Sequence, residues 1–255
     1  MWREIVRQLP HEDTLYLADQ AHVPYGSRPL PQVREFSEGI TRFLLGLGAK
    51  VIVIACNTAS AAALHDLRRT FPGVPFVGME PAVKPAAEQT QTGKVGVLAT
   101  PATFQGELFA SVVERFASDV TVIQQALPNL VAQIEAGDLD GPETREILHT
   151  QLRPLLEAGV DTLVLACTHY PLIIPALNDI VGPDVNVIDP SPAIARQAKR
   201  LLDQHDLNSS SGRAGRVTYY SSGDPQALAE MAMWLIEEPG EALQAVWKDD
   251  RLIEQ

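Results

Sequence analysis

Two cysteines occur in the 255 residues, and each sits in the same kind of place. Cys56 follows the apolar run "VIVIA" and opens "CNT", with Asn57 and Thr58 next. Cys167 follows "TLVLA" and opens "CTH", with Thr168 and His169 next. A thiol between a buried strand and a helix start receives the field of the helix N-terminus. That field is expected to draw its pKa below the free value of ~8.5 and favour thiolate. A core cysteine would gain nothing from such polar company. Two equivalent thiols do not suit nucleophilic catalysis, which needs one activated cysteine and a base. They suit stereoinversion by proton transfer: one thiolate removes a proton from a carbon, and the opposite thiol returns another to the other face. A redox pair is a further reading, disfavoured by the compartment inferred below.

The elements that would position the thiols alternate. Strands are predicted at 14–18, 51–55, 74–78, 94–99, 120–124, 162–166, 185–189 and 217–220. Helices are predicted at 32–47, 58–71, 105–117, 143–158, 174–181 and 192–205. This rhythm predicts an α/β fold with mainly parallel sheets flanked by helices. The stretch 31–56 aligns without a gap to 142–167, with ten identities that include Arg34/Arg145, Leu44/Leu155, Gly48/Gly159 and Cys56/Cys167. "VGMEP" (77–81) echoes "NVIDP" (186–190). The chain thus reads as a duplication: two similar domains related by a pseudo-twofold axis, one formed by 1–93 plus 207–255 and the other by 94–206. Ligands of open parallel sheets bind at the carboxyl ends of strands, where both cysteines fall, so each half would aim one thiol into a shared cleft. The second half opens with the strand and turn of 94–104. The first half opens with "REIVRQLP", which corresponds to the helix that follows them, so a counterpart of 94–104 is not in the sequence.

Composition narrows the rest. The net charge of −12 offers no basic stripe for nucleic acid. No apolar run is long enough to span a bilayer, and no secretory leader or zinc-finger spacing is evident. The expected compartment is the cytoplasm. Neither a metal nor a cofactor is expected, since no glycine-rich dinucleotide fingerprint is present. An anionic ligand would be repelled by the overall field and held by local devices such as helix N-termini.

Four motifs, "VPYG" (23–26), "ACNTASA" (55–61), "ACTHYPL" (166–172) and "YSSGDP" (220–225), closely resemble those of the glutamate racemases of bacterial cell-wall synthesis. The likeness runs over essentially the whole chain. Aspartate racemase, hydantoin racemase and maleate isomerase share paired cysteines, usually without the "THYP" run. The resemblance implies cofactor-free interconversion of L- and D-glutamate, with the D form going to peptidoglycan, and a homodimer. It assigns Cys56 to D-glutamate and Cys167 to L-glutamate. Asn57, Thr58 and Thr168 would bind substrate, Tyr25 and Gly26 would close the pocket, and His169 would partner Cys167. Glu135 matches an acidic position near the second thiol. Thr100 and Thr103, in a strand-end turn, are further candidates for substrate contact. Asp189, echoed by Glu80, reads as a helix cap, and 207–216 as a connecting loop with solvated arginines.

Members of this family begin with a strand and an Asp-Ser-Gly turn, whose Asp assists the first cysteine and whose Ser touches substrate. This is the same segment the internal repeat finds missing. An upstream-extended form is therefore expected to racemise much faster than the 255-residue chain; equal rates would refute that. The alternatives are a racemase of another amino acid such as aspartate, and a non-catalytic small-acid-binding protein on the same fold.

Overall fold

The structure, a computed structural model, describes every residue except Gly106, Glu238 and Asp250. Its strands are β1 (Thr14–Ala18), β2 (Ile52–Val53), β3 (Phe76–Val77), β4 (Lys94–Ala99), β5 (Thr121–Ala126), β6 (Thr162–Ala166), β7 (Asn186–Ile188), β8 (Val217–Ser221), β9 (Glu241–Lys248) and β10 (Arg251–Glu254). Its helices are α1 (Trp2–Gln8), α2 (Leu30–Gly46), α3 (Asn57–Thr70), α4 (Val83–Gln89), α5 (Pro101–Gln105), α6 (Glu107–Phe116), α7 (Leu130–Glu135), α8 (Pro142–Glu157), α9 (Ile174–Val181), α10 (Ser191–Gln204) and α11 (Pro225–Ile236). Single 3-10 turns cover Tyr25–Ser27 and Tyr170–Ile173.

The second half carries the fold's clearest sheet, β5-β4-β6-β7, parallel throughout. Its residues alternate between two cores, as a strand period of two requires. Leu98, Leu163, Leu165 and Cys167 pack with α7, α8 and α9 on one face, while Val95, Val97, Val164 and Ala166 pack with α4 and α6 on the other. A sheet buried on both faces needs strands that are apolar throughout, which is what "VGVLA" and "TLVLA" supply.

The repeat is visible in the backbone. Both α2 and α8 end in a Leu-Leu pair followed by a glycine in the left-handed region, Gly48 at φ +85° and Gly159 at φ +81°. The Gly48 amide donates to the Leu45 carbonyl and Ala49 to Leu44; Gly159 donates to Leu156 and Val160 to Leu155. Both helices therefore stop with the same glycine-dependent cap before the next strand.

In the first half the order differs. β1 joins β8, β9 and β10, whereas β2 and β3 form a separate parallel pair. The repeat equates β1, β2 and β3 with β5, β6 and β7, and in the second half β4 lies between the first two. Among the described residues no strand joins β1 to β2. This explains why the strands predicted at 51–55 and 74–78 shrink to two residues each: Ile52–Val53 ladders only with Phe76–Val77. The segment after residue 220 was not predicted to hold further elements, yet α11 and the β9–β10 hairpin occupy it. Asp224 caps α11 by accepting from the Gln226 and Ala227 amides.

Asp189 accepts from the Ser191 amide at 2.8 Å and so serves α10 as a cap. The arginines of 207–216 are exposed to solvent as expected, and Arg213 makes a two-pronged surface ion pair with Asp13. Asp161 pins the turn before β4: it accepts from Thr90 Oγ1 at 2.5 Å and from the Gln91 and Thr92 amides at 2.7 and 2.8 Å. Burial acts to raise this carboxyl, but those donors, with Thr162, outweigh it and hold the pKa at about 2. The stabilisation is present above the ordinary Asp pKa and is lost as pH falls through about 2. Asp161→Asn is expected to lower the melting temperature by a few degrees at pH 7, and by less below pH 3. A thermal melt series across pH checks this.

Candidate active site

Both thiols lie just beyond the carboxyl ends of equivalent strands. Cys56 is half-buried and caps α3, its sulfur accepting from the Ala59 amide at 3.4 Å. Cys167 is buried, with His169 Nδ1 3.9 Å from its sulfur. The two approach closely enough that charge on Cys167 raises the pKa of Cys56.

The expectation of a lowered Cys56 pKa is not met. Burial is the largest influence and pushes the thiol up to about 11, against the downward pull of the Ala59 amide and Thr58. The helix start acts in the expected direction, but desolvation of a thiolate costs more than one helix turn returns. At neutral pH Cys56 is therefore a protonated thiol, able to donate.

The second thiol has a different neighbourhood. His169 Nε2 meets Glu135 Oε1 at 2.5 Å, so Glu135, His169 and Cys167 form a line. Burial alone would lower the imidazole, but the Cys167 sulfur and the Glu135 carboxylate outweigh it and hold the pKa at about 10. The hydrogen bond to His169 in turn keeps Glu135 below the usual carboxylate range. Thr168 is half-buried between Cys167 and His169.

Polar groups from both halves converge at the start of α3. Thr58 Oγ1 lies 3.0 Å from Thr100 Oγ1 and 3.2 Å from Thr103 Oγ1, and the latter two are 3.1 Å apart. Asn57 is buried; its amide nitrogen faces the Met79 sulfur at 3.9 Å, and its Oδ1 has no hydrogen-bond partner among the described residues. Tyr25 packs with Cys56 against Val33, Ala59 and Ala62. Burial, and then the charge of Asp19, raise the Tyr25 phenol well above its ordinary range. Beside it, a Cβ built on Gly26 would sit 2.8 Å from Thr100 Cβ, closer than real carbon contacts allow. Gly26→Ala is thus expected to push the Tyr25 turn off α5, lowering both activity and melting temperature. Unchanged kinetics and stability would show the contact to be slack.

The structure thus joins Tyr25 to Cys56, Gly26 to Thr100, and Thr58 to Thr100 and Thr103. It joins Glu135, His169 and Cys167 in a second group, while Asn57 and Thr168 adjoin the two cysteines in sequence. It also adds a residue the sequence did not single out: buried Asp19, which accepts from the Tyr25 hydroxyl at 2.6 Å. Its position one residue past β1, on a strand-end edge like the cysteines, was the available signal.

The sequence profile of the Asp/Glu/hydantoin racemase family matches residues 1–198. The chain belongs to this family. Among relatives of this racemase-family chain, a glutamate racemase of Roseiflexus sp. is 50% identical over 230 residues, which is 90% of this chain and 85% of that protein. A crystal structure of a Bacillus anthracis glutamate racemase is 27% identical and superposes with a TM-score of 0.87 over 97% of this chain and 92% of that one. A crystal structure of Escherichia coli glutamate racemase, in complex with L-glutamate and the activator UDP-MurNAc-ala, is 28% identical, with a TM-score of 0.83 over 100% and 93% of the two chains. This racemase therefore has the two-domain α/β fold of its relatives. Among the described residues, no helix is long and apolar enough to cross a membrane.

Proposed function

We propose that the chain interconverts L- and D-glutamate by two-thiol acid/base chemistry. The observation that carries the reading is the pair itself: two cysteines at equivalent strand ends, near enough that charge on Cys167 raises the pKa of Cys56, with different partners. In the L-to-D direction the Cys167 thiolate takes the Cα proton. The electron pair moves into the α-carboxylate as an enolate-like species, and the Cys56 thiol delivers its proton to the opposite face. The raised pKa of Cys56 suits that donor role. In the reverse direction Cys56 and Cys167 exchange roles, so both proton transfers are assigned to side chains.

Asn57, Thr58 and Thr168 would hold the substrate's carboxylate and ammonium groups, with Thr100 and Thr103 behind Thr58. The buried Oδ1 of Asn57, without a partner among the described residues, is an acceptor suited to an ammonium. Tyr25 and Gly26 would close the pocket. The proposal extends to the setting: D-glutamate for peptidoglycan, a homodimer, action in the cytoplasm, and domains formed by 1–93 plus 207–255 and by 94–206. Relatives named glutamate racemase support the substrate.

The test is incubation with each glutamate enantiomer in D₂O, following Cα deuteration by NMR and optical rotation. Deuteration with loss of rotation is expected, with aspartate as a parallel substrate. Labelling of aspartate but not glutamate would reassign the substrate, and labelling of neither would leave a binding protein.

A further inference from the structure

Asp19 is more than a partner for one phenol. Its two carboxylate oxygens receive four side-chain donors from three places in the chain. Tyr25 Oη donates to Oδ2 at 2.6 Å, and His22 Nδ1 lies 2.9 Å from the same oxygen. Ser222 Oγ donates to Oδ1 at 2.7 Å and Trp247 Nε1 at 2.8 Å. An ionised carboxylate only accepts, and it is buried here, so these four donors hold it in place of water. Its acceptor sites are committed, which makes it a fixed anchor.

The donors arrive there for topological reasons. β1, β8 and β9 are parallel neighbours, so Asp19, Ser222 and Trp247 all emerge at one sheet edge. The His22 ring stacks on Phe36 with centroids 3.7 Å apart, and Trp247 meets it edge-on at 5.2 Å. Trp247 therefore closes the cluster from the C-terminal hairpin, more than 200 residues from Asp19. On the opposite side of the carboxylate, Tyr25 leads to Cys56.

We propose that Trp247 is a positioning residue for the active site: through Asp19 it fixes the Tyr25 ring against Cys56. The C-terminal hairpin is thereby tied to the first thiol. The link itself concerns Tyr25 and Cys56; only its kinetic consequence rests on the glutamate reading above.

The experiment is a double-mutant cycle on the full chain, comparing wild type, Trp247→Phe, Tyr25→Phe and the double variant. The readout is the rate at which iodoacetamide alkylates Cys56, followed by peptide mass spectrometry at one pH. Phe keeps the ring packing at 247 and removes only the donor. The single Trp247→Phe change is expected to expose Cys56 about fivefold faster, the weight of roughly one net hydrogen bond. In the Tyr25→Phe background it is expected to add nothing, because the chain of contacts is already cut. An unchanged rate in Trp247→Phe, or the same acceleration in both backgrounds, overturns the proposal. If Trp247→Phe folds poorly in a thermal melt, Ser222→Ala replaces it in the same cycle, removing another donor to Oδ1 without touching the aromatic cluster. In parallel, Trp247→Phe should raise the glutamate KM about fivefold with kcat changed by less than about twofold. If alkylation couples as described but KM does not move, the link stands and the substrate role of Tyr25 fails.

Discussion

Cys56→Ala and Cys167→Ala are each expected to slow racemisation of glutamate by about 10²- to 10⁴-fold, the range for loss of a general acid or base. The more telling result is which enantiomer still exchanges. With Cys167 gone, Cys56 can still remove the Cα proton of D-glutamate and return one to the same face. In D₂O that gives deuterated D-glutamate with no loss of optical rotation, while L-glutamate stays unlabelled. Cys56→Ala should show the mirror pattern, labelling L-glutamate only. Exchange has to be the readout because the enantiomers are isoenergetic. Their equilibrium constant is one, so kcat/KM is equal in both directions at every pH and hides any difference between the thiols.

The raised pKa of Cys56 adds a second dimension to that result. In the Cys167→Ala protein, exchange of D-glutamate needs the Cys56 thiolate, which is scarce at neutral pH when the pKa is about 11. Removing the thiol at 167 takes away one of the causes of that elevation, but burial, the larger one, remains. The exchange rate should therefore climb through the alkaline range instead of levelling near the free-thiol value of ~8.5. If it levels there, Cys56 is better solvated than the structure indicates. If both enantiomers exchange equally in either variant, the one-thiol-per-face scheme is wrong.

How far the sequence carried depended on whether a feature was local. The repeat was legible because Leu44, Leu45, Gly48 and Cys56 and their counterparts are matched residue by residue, and the backbone reproduces the same cap in each half. Thr58 is legible through the family resemblance, and Thr100 and Thr103 through their strand-end turn; that their hydroxyls meet within about 3 Å is a property of how the halves pack. The Cys56 pKa failed for the same reason. A helix start is readable from "CNTASA", whereas the desolvation that overrides it comes from segments distant in sequence. Asp19 is not legible as a site residue because two of its four donors, Ser222 and Trp247, lie more than 200 residues away, and no spacing rule connects them. The first-half strands were overextended because strand length depends on ladder partners, and an apolar run such as "VIVIA" looks the same with one partner or two.

His169 is expected to matter through its charge, and Glu135→Gln tests this separately from packing. His169→Asn should slow racemisation about 10²-fold, with the deficit falling on L-glutamate exchange, since the imidazole stands beside Cys167. Glu135→Gln keeps the shape and a hydrogen bond but removes the anion that helps hold His169 near pKa 10. The pair also leaves a mark on stability. A base raised in the folded state stabilises fully below its unfolded pKa of ~6.5, and that contribution drains away as pH rises toward about 10. The Glu135 carboxyl is lowered, so its share is present above its ordinary ~4.3 and is lost as pH falls through the depressed value. The melting-temperature gap between wild type and Glu135→Gln should consequently be widest between about pH 5 and 6.5. It should narrow steadily toward pH 10 and again in acid. A gap of constant size from pH 5 to 10 would mean that His169 is neutral beside Glu135. The Cys167 side would then have to be assisted by a neutral imidazole, and Glu135→Gln should leave L-glutamate exchange nearly intact. Thermal melts and isotope exchange on the same variant therefore have to agree, because both read the same proton on the same ring.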